Sequence, residues 1–394
     1  MIKKIVALLI FITCVSYSFS QVSNSVRLSN FSQISIITSG PGEALYEKFG
    51  HTAIRIKDPM LQLDLIYNYG IINFENPSFY IDFTKGYMKY KLARYPFYLA
   101  LKSSKQDKRW VKEQILNLTQ KQKNEIFNFL EINATPKNAS YFYDPFFDNC
   151  ATKPRDIIQK TIGDNLIFND DFATDSLSIR QLMNNEIHQN TWGSLGINIA
   201  LGSRLDKIAA ANEYLYLPDY VFKTLNASKV IKNNKEENLI YKTIVLLDFE
   251  EKKSKSDVIN PLLIFFIVSF IGIYITYKDY VNKKRTKWLD FILLFTTGLI
   301  GVLIVFLWFF TNHSTAPNNF NFLWAFAPNL IISFLLLKKS PPKWISKYLL
   351  GLLILLLLVP FVWIIRFQLF SYTLIPLFIL LGIRYWFLQK TLNS

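Results

Sequence analysis

The chain has 394 residues, of which 51% are hydrophobic and 16% aromatic, and its formal net charge is +15. This length is enough for two folding units. A basic excess first suggests nucleic acid. Much of it, however, lies between long apolar runs near the C-terminus, a distribution typical of membrane proteins, and we therefore expect no nucleic-acid partner.

The first twenty residues predict a secretory signal peptide. Lys3 and Lys4 precede an apolar core over residues 5–14, and the small residues Ser18 and Ser20 follow it. This is the order found in signal peptides, with cleavage expected after Ser20. The alternative is an uncleaved anchor, which gives the same topology for the rest of the chain.

Cysteine usage singles out one residue. The chain has two cysteines, and Cys14 leaves with the signal peptide, so the mature chain keeps Cys150 alone. An exported protein with one cysteine has no internal disulfide, and that cysteine is a candidate reactive thiol or intermolecular link. The alternative is an inert, buried small hydrophobic residue.

The first elements predict a β-hairpin that carries a histidine. Residues 32–38 alternate as a strand, residues 50–57 form a second strand, and residues 63–70 return beside it. In this register Asn68 lies roughly opposite His51. Cross-strand neighbours have Cβ atoms about 5 Å apart, so the two side chains are expected within reach of each other.

His51 stands out among the three histidines of the chain. His188 lies in a polar run, and His313 lies in a predicted short loop between two apolar runs, whereas His51 begins a strand. The three are not spaced as the ligands of a metal ion are. We therefore expect no metal site and no cofactor.

Three further segments of the exported domain, residues 79–101, 120–133 and 226–257, give structural predictions. Residues 79–101 are dense in tyrosine, phenylalanine and basic residues, which predicts a strand pair with aromatic packing or, alternatively, a surface that meets the lipid headgroup layer. Thr119 followed by Gln122 forms a capping box and predicts a helix over 120–133. Residues 226–257 are polar and charged, and we interpret them as a connector next to the membrane.

The stretch over residues 143–156 places Cys150 at the start of a helix. Pro154 is tolerated only near a helix start, and Gly163 marks the expected end. Unpaired N–H groups and the positive end of the helix dipole lower the pKa of a thiol there. The sequence therefore predicts a nucleophilic thiolate at residue 150.

From residue 261 the sequence predicts membrane helices. Apolar runs of roughly spanning length occur at about 260–277, 289–310, 322–337, 348–365 and 367–386. The predicted organisation is a signal peptide over 1–20, an exported domain over 21–258 and a transmembrane domain of about five helices over 259–394.

The distribution of lysine predicts the orientation in the membrane. Lysines and Arg285 crowd the loops around 278–287 and 338–347, whereas residues 311–321 and the turn at Arg366 carry almost no basic charge. Basic loops stay in the cytoplasm. The N-terminal domain is then outside, in agreement with the signal peptide, and the C-terminus is cytoplasmic.

His51 and Cys150 together have the order of a Cys-His nucleophile pair. In such a pair the histidine takes the proton of the thiol, and a third polar group, here Asn68, orients the ring. Backbone N–H groups at the helix start, with Asn149 nearby, are candidates for stabilising an oxyanion. The chemistry expected is nucleophilic catalysis by Cys150.

Four motifs in order resemble the Lnb N-terminal periplasmic domain family: Phe49-Gly-His-Thr-Ala-Ile-Arg55, Tyr67-Asn-Tyr-Gly70, Asp148-Asn-Cys-Ala-Thr-Lys-Pro-Arg-Asp156 and Leu217-Pro-Asp219. Histidine before cysteine, with Asn-Cys at the nucleophile, also resembles the circularly permuted NlpC/P60 group. The fold implied is an α+β papain-like domain followed by an all-α multi-span domain.

The same resemblance implies an activity. Lnb proteins of Bacteroidetes-type bacteria N-acylate lipoproteins at the inner membrane, with the catalytic domain in the periplasm. His51 and Cys150 fall on the family's histidine and cysteine positions. The implied donor is a membrane phospholipid, the carrier is a thioester on Cys150, and the acceptor is the α-amino group of a diacylglyceryl-cysteine lipoprotein.

Charged residues after the cysteine have two interpretations. Lys153 and Arg155 are candidates for contacting a lipid phosphate. Alternatively, Arg155 and Asp156 only hold the loop, and this second interpretation is slightly favoured.

Two other functions fit parts of the sequence. A Cys-His pair also serves cell-wall peptidases and amidases of NlpC/P60 type, although a murein hydrolase needs at most one membrane anchor. A non-enzymatic membrane sensor or assembly factor, with a structural Cys150, is the third hypothesis. No motif predicts the oligomeric state.

Overall fold

A computed structural model describes residues 26–72, 78–169, 171, 173 and 176–393. The predicted signal peptide over 1–20 lies outside these residues. The described chain forms an α+β domain, which ends with a strand at Leu247, and a helical domain, which begins at Pro261. This order of an α+β domain and an all-α domain confirms the predicted fold class.

An antiparallel sheet organises the first domain. Seven of its strands pair in the order β10-β5-β1-β2-β3-β4-β6, and β7, β8 and β9 form a smaller sheet. The strands are β1 (Gln33–Ser39), β2 (His51–Asp58), β3 (Leu63–Ile71), β4 (Lys89–Pro96), β5 (Val111–Leu116), β6 (Ser140–Phe142), β7 (Leu166–Ile167), β8 (Lys229–Lys232), β9 (Lys235–Asn238) and β10 (Ile240–Leu247).

Helices cover both faces of the main sheet. They are α1 (Phe79–Thr84), α2 (Phe97–Gln106), α3 (Gln120–Asn133), α4 (Thr152–Ile162), α5 (Ile179–Glu186), α6 (Trp192–Ala200) and α7 (Pro218–Ala227). The predicted capping box is confirmed, because Thr119 accepts from the backbone N–H of Gln122 and the side chain of Gln122 caps Thr119 in return.

Alternation along β2 separates two hydrophobic cores. Ile54 and Ile56 face the larger core, which also holds the apolar sides of α3, α4 and α7. Ala53 points the other way, into a smaller core that contains Phe97 of α2. The predicted hairpin is confirmed, with Ile54 of β2 paired to Tyr67 of β3.

Two segments differ from the sequence-based predictions. Residues 79–101 form α1, β4 and the start of α2 instead of a strand pair. Residues 229–247 form three strands rather than a connector, and β10 pairs with β5, placing Thr243 beside Gln114. These partners are far apart in the chain, and local sequence patterns do not reveal such pairings.

The helical domain contains four helices that are long and apolar enough to cross a bilayer, counted over the described residues: Pro261–Val281, Lys287–Phe309, Trp344–Ile364 and Tyr372–Leu392. We number its helices α8 (Pro261–Val281), α9 (Lys287–Phe309), α10 (Asn329–Leu336), α11 (Trp344–Ile364) and α12 (Ile375–Asn393).

The third apolar run of the sequence does not form a full-length helix. Its helical part, α10, has eight residues, or about 12 Å at 1.5 Å per residue. Pro328 precedes it, and Asn329 is buried where its Nδ2 donates to Thr297 of α9 at 3.0 Å. The run contributes a short helix packed against α9, so five helices are present and four have spanning length.

The loop between α9 and α10 docks onto the α+β domain. The backbone N–H of Asn312 donates to the carbonyl of Lys85 at 2.8 Å, and that of Gly202 donates to the carbonyl of Thr315 at 2.8 Å. Ser314 also donates to the carboxylate of Asp144, six residues before Cys150. The stretch that carries the cysteine is therefore in direct contact with the helical domain.

Candidate active site

Cys150 lies in the first turn of the helix that continues as α4. The backbone N–H of Lys153 donates to the carbonyl of Asn149 at 3.1 Å, so helical bonding begins one residue before the cysteine. Oδ1 of Asn149 accepts from the N–H groups of Ala151, at 2.8 Å, and Thr152, at 3.0 Å. Such a cap supplies partners that a helix start lacks, and it fixes the position of Cys150.

The amide hydrogens of Asn149 are also engaged, which corrects its expected role. Its Nδ2 donates to the carbonyls of Pro145 and Tyr216, both at 2.8 Å. The predicted use of this amide as an oxyanion donor does not fit this geometry. Tyr216 lies just before the Leu217-Pro-Asp219 motif, whose proline begins α7. The chain at this motif therefore holds Asn149, the residue next to Cys150, through the carbonyl of Tyr216.

His51 is the first residue of β2, and it contacts the side chain that the sequence predicts. Its Nε2 lies 2.6 Å from Oδ1 of Asn68, and Nδ2 of Asn68 donates to the hydroxyl of Tyr95 at 2.9 Å. The pairing of Ile54 with Tyr67 makes Asn68 a diagonal neighbour of His51 rather than its direct opposite. The bond to Tyr95 orients the amide of Asn68 so that its oxygen, Oδ1, points to the His51 ring. An amide oxygen can only accept, so Nε2 of His51 carries the proton in this bond.

The imidazole of His51 and the thiol of Cys150 are neighbours that shift each other's pKa through charge and hydrogen bonding. Asn68 occupies Nε2, which leaves Nδ1 as the ring nitrogen available to the sulfur. The structure thus brings together the three residues that the sequence predicts as nucleophile, base and orienting group.

The electrostatics of the pair favour charge separation. Burial raises the pKa of the Cys150 thiol, but the charge and hydrogen bond of His51, with N–H groups of Thr52 and of Cys150 itself, lower this pKa below its ordinary value. Burial likewise lowers the pKa of His51, while the Cys150 charge and the bonds to Cys150 and Asn68 raise it above its ordinary value. Both directions favour a thiolate beside an imidazolium.

Aromatic side chains and a glycine enclose the sulfur. Tyr143 lies beside Cys150, and burial, followed by the charge of Cys150, keeps the pKa of this tyrosine well above its usual range. The Tyr143 ring stacks on Tyr90 with centroids 4.4 Å apart. Gly70 has a φ of +93°, and a Cβ there would lie 3.3 Å from the Tyr143 ring and 3.7 Å from Cβ of Cys150. Cys150 itself is 8% exposed.

The charged residues after Cys150 are paired with protein groups. Lys153 forms an ion pair with Asp148 at 2.8 Å. Nε of Arg155 donates to Asp156 at 2.7 Å, and its Nη1 donates to the carbonyl of Asn212 at 3.3 Å. This geometry agrees with the loop-holding interpretation of Arg155 and Asp156.

Sequence reasoning missed three side chains of the site: Tyr95, Tyr143 and Arg109. Nε of Arg109 donates to the carbonyl of Gly40 at 2.7 Å, while its Nη2 is buried with no hydrogen-bond partner. Arg109 and His51 line a cavity of about 120 Å³. Arg109 reaches the site because β5, which follows it, pairs with β1. Local sequence patterns do not predict a pairing between strands that are so far apart in the chain.

The arrangement suits nucleophilic acyl transfer. The shifts in pKa favour a buried thiolate at Cys150 with the proton on His51, which is the charge distribution that nucleophilic catalysis requires. Across the described ranges, no cluster of three or more His, Cys, Asp or Glu side chains is suited to hold a metal ion.

Comparison with known families supports both domains. Residues 18–185 match the Lnb N-terminal periplasmic domain, and residues 253–392 match the Lnb transmembrane domain. The two matches leave out the first 17 residues, a segment between the domains and the last two residues. No curated protein and no solved structure matches the chain.

Proposed function

Since the chain belongs to the Lnb family and is a membrane protein with a periplasmic domain and several transmembrane helices, we propose that it is a membrane-bound N-acyltransferase of lipoproteins. The observation that supports this proposal is the neighbouring pair of Cys150 and His51 in a domain that is hydrogen-bonded to the loop between two membrane helices. Holding both lipid-anchored substrates at one membrane site confines the reactants to a thin layer.

In the first step the Cys150 thiolate attacks an ester carbonyl of a membrane phospholipid. The C–S bond forms, the ester C–O bond breaks, and the imidazolium of His51 gives its proton to the departing lysophospholipid oxygen. The products are a thioester on Cys150, a lysophospholipid and a neutral imidazole.

In the second step the neutral α-amino group of a diacylglyceryl-cysteine lipoprotein attacks the thioester. The C–N bond forms, the C–S bond breaks, and His51 takes the proton of the amine. The thiolate and imidazolium are restored, and the net change converts an ester and an amine into an alcohol and an amide. Dividing a slow ester-to-amine transfer into two steps is the advantage of a covalent carrier.

Detection of the acyl-enzyme tests the proposal. The purified full chain is incubated with phospholipid vesicles, digested and examined by mass spectrometry. We expect an acyl adduct on the Cys150 peptide that hydroxylamine removes and that is absent from Cys150→Ala. An unmodified Cys150 under these conditions would contradict the acyl-carrier step.

Lipoproteins from cells test the acceptor. In a strain whose own copy carries Cys150→Ala, mass spectrometry of lipoprotein N-termini is expected to show free α-amino groups. Unchanged N-acylation in that strain would reject this function. Altered cell-wall fragments in the same strain would instead favour a peptidase or amidase.

A further inference from the structure

Among the side chains that the structure describes, four large apolar ones are exposed on the segment between β3 and β4 and on the adjacent strand β6. Ile81, Phe83, Tyr87 and Phe142, which we call the aromatic patch, are 58%, 44%, 45% and 64% exposed. The N–H of Tyr87 donates to the carbonyl of Asp82, which lies between Ile81 and Phe83 in α1, and the ring centroids of Tyr87 and Phe142 lie 6.1 Å apart. Exposed apolar side chains grouped in this way indicate a binding partner.

The aromatic patch is joined to the end of a membrane helix. The N–H of Asn312 donates to the carbonyl of Lys85, and the rings of Phe83 and His313 are in contact at 6.2 Å. Gly86 fits only because it lacks a side chain, since a Cβ there would lie 2.6 Å from the backbone nitrogen of His313. The patch is thus fixed against the loop that leaves α9.

The depth of this contact follows from the reach of the chain. Helix α9 ends at Phe309, with Phe310 as its C-cap, and Asn312 follows two residues later. Two residues span at most about 7 Å. The headgroup layer on each side of a bilayer is about 5–8 Å thick. If α9 ends at the boundary of the hydrocarbon core, as a spanning helix of its length and composition does, Lys85, bonded to Asn312, is at the level of the lipid headgroups.

The aromatic patch is also joined to the nucleophile. The N–H of Tyr143 donates to the carbonyl of Met88 at 2.8 Å, immediately after Tyr87. The same Tyr143 lies beside Cys150 and stacks on Tyr90. One backbone hydrogen bond and the side chain of Tyr143 thus connect the patch with the sulfur.

We propose that the aromatic patch is a lipid-binding site that inserts into the leaflet on the side of the N-terminal domain and passes an acyl chain to Cys150. The exposed lysines around it, Lys85, Lys89 and Lys91, face the lipid phosphates. Aromatic and basic residues are the ones that belong in the headgroup region. The insertion stands on its own, whereas the transfer to Cys150 rests on the proposed function.

Depth measurement tests the insertion. In the full chain with Cys150→Ser, single cysteines at positions 81, 87 and 142 are spin-labelled in phospholipid vesicles. Tyr241, 76% exposed on β10, provides the control position. We expect the patch labels to be more accessible to oxygen than to a nickel chelate and the control label to show the reverse. Patch labels that behave like the control would overturn the proposal.

Substrate comparison tests the transfer. For Ile81→Asp and Phe142→Asp, with Tyr241→Asp as the control, thioester formation is measured with phospholipid vesicles and with a soluble short-chain ester. We expect the ratio of the two rates to fall about tenfold or more in the patch variants, as the loss of one buried apolar side chain implies, and to stay unchanged in the control. An unchanged ratio in the patch variants would overturn this step.

The two proposals fail in different ways. If the unsubstituted chain forms no thioester with either ester, the acyltransferase function fails, and the depth measurement still decides whether the patch inserts. If the thioester forms and the patch labels are water-exposed, the lipid-binding site fails and the function stands.

Discussion

Buried ionisable side chains have different surroundings beside Cys150 and in the cluster between the membrane helices. Between the helices, Arg384 of α12 bonds to Asp279 of α8 at 2.8 Å and to Asp290 of α9 at 2.7 Å. Its remaining groups bond to Thr276 and to the carbonyl of Thr286. Beside Cys150, by contrast, His51 has the sulfur and Asn68 as its partners, and the charge of the pair depends on the position of one proton.

The difference shows what separates a structural cluster from a reactive one. The guanidinium of Arg384 is held in place by its carboxylate partners on two other helices. The proton between Cys150 and His51 can leave, which is the requirement for general acid–base and nucleophilic chemistry. One cluster is therefore expected to govern stability and the other to govern rate.

Removing the base gives the largest expected effect. His51→Ala should slow acyl transfer about 10²–10⁴-fold, the usual contribution of a general base. Burial is then uncompensated, so the pKa of Cys150 should rise. The thiolate, present above the lowered pKa in the unsubstituted chain, should appear only at higher pH. The midpoint of iodoacetamide labelling against pH measures this shift.

A distant histidine provides the control for that experiment. His188→Ala removes an imidazole that accepts from the backbone of Asn190 and is remote in sequence from the site. Its labelling midpoint should match that of the unsubstituted chain. An equal midpoint in His51→Ala would show that the pair does not control the thiol.

Breaking the membrane cluster should act on stability instead. Arg384→Met removes the cation shared by Asp279 and Asp290 and leaves Arg285, 3.7 Å from Asp290, as the remaining basic partner. Breaking a buried ion pair by removing one partner typically costs about 3–5 kcal/mol. Thermal unfolding in detergent should show a large fall in midpoint, and the pH midpoint of Cys150 labelling should not move. Replacing both aspartates by leucine in the same chain should recover much of the loss, because an apolar trio of similar volume needs no ion pair.

How far the sequence led depends on the range of the contacts. The capping box at Thr119, the β2–β3 hairpin and the helix start at Cys150 follow from residues close together in the chain, and the structure contains all three. The His51–Asn68 contact followed from the hairpin, with its diagonal offset beyond the reach of pattern reasoning. The proximity of Cys150 and His51 was predicted from chemistry rather than from a local pattern, because a cysteine nucleophile needs a base beside it.

The features that were missed depend on long-range pairing. Strand β10 joins the sheet through β5, and Arg109 reaches the site through the pairing of β5 with β1. Asn149 was expected to donate to an oxyanion, but the carbonyl of Tyr216, 67 residues away, takes one of its hydrogens. The apolar composition of residues 322–337 predicted a membrane helix, but the helix covers only Asn329–Leu336. Composition could not show that Asn329, at its start, is hydrogen-bonded to Thr297 of the neighbouring helix.

Loosening the orientation of the base should have an intermediate effect. Asn68→Ala removes the acceptor for Nε2 and leaves the ring free to rotate away from the sulfur. We expect thioester formation to slow about 10- to 100-fold, with a smaller loss in Tyr95→Phe. Asn133→Ala is a matched control, because the amide of Asn133, like that of Asn68, donates to a tyrosine hydroxyl, here that of Tyr69 in β3.

Rescue separates orientation from folding in that experiment. The conservative Asn68→Gln keeps an amide oxygen, and it should restore part of the rate if orientation is the cause. Similar losses in Asn68→Ala and in the Asn133→Ala control would instead assign Asn68 a general role in packing the sheet.

Neutralising Lys153 should have the smallest effect, and it tests whether a charged group near Cys150 other than His51 takes part in the reaction. Its ion pair with Asp148 joins partly exposed groups, and such pairs contribute about 0–1 kcal/mol. We expect Lys153→Met to lower the unfolding midpoint slightly and to leave kcat and KM for anionic phospholipid within about threefold. A large rise in KM for anionic lipid, absent in Lys160→Met on the same helix, would show that Lys153 leaves Asp148 to bind a phosphate. In that case the site near Cys150 would contain two changing charges: the proton shared by Cys150 and His51, and the ammonium of Lys153. The contrast with the fixed cluster around Arg384 would then have to include Lys153 as a second reactive group.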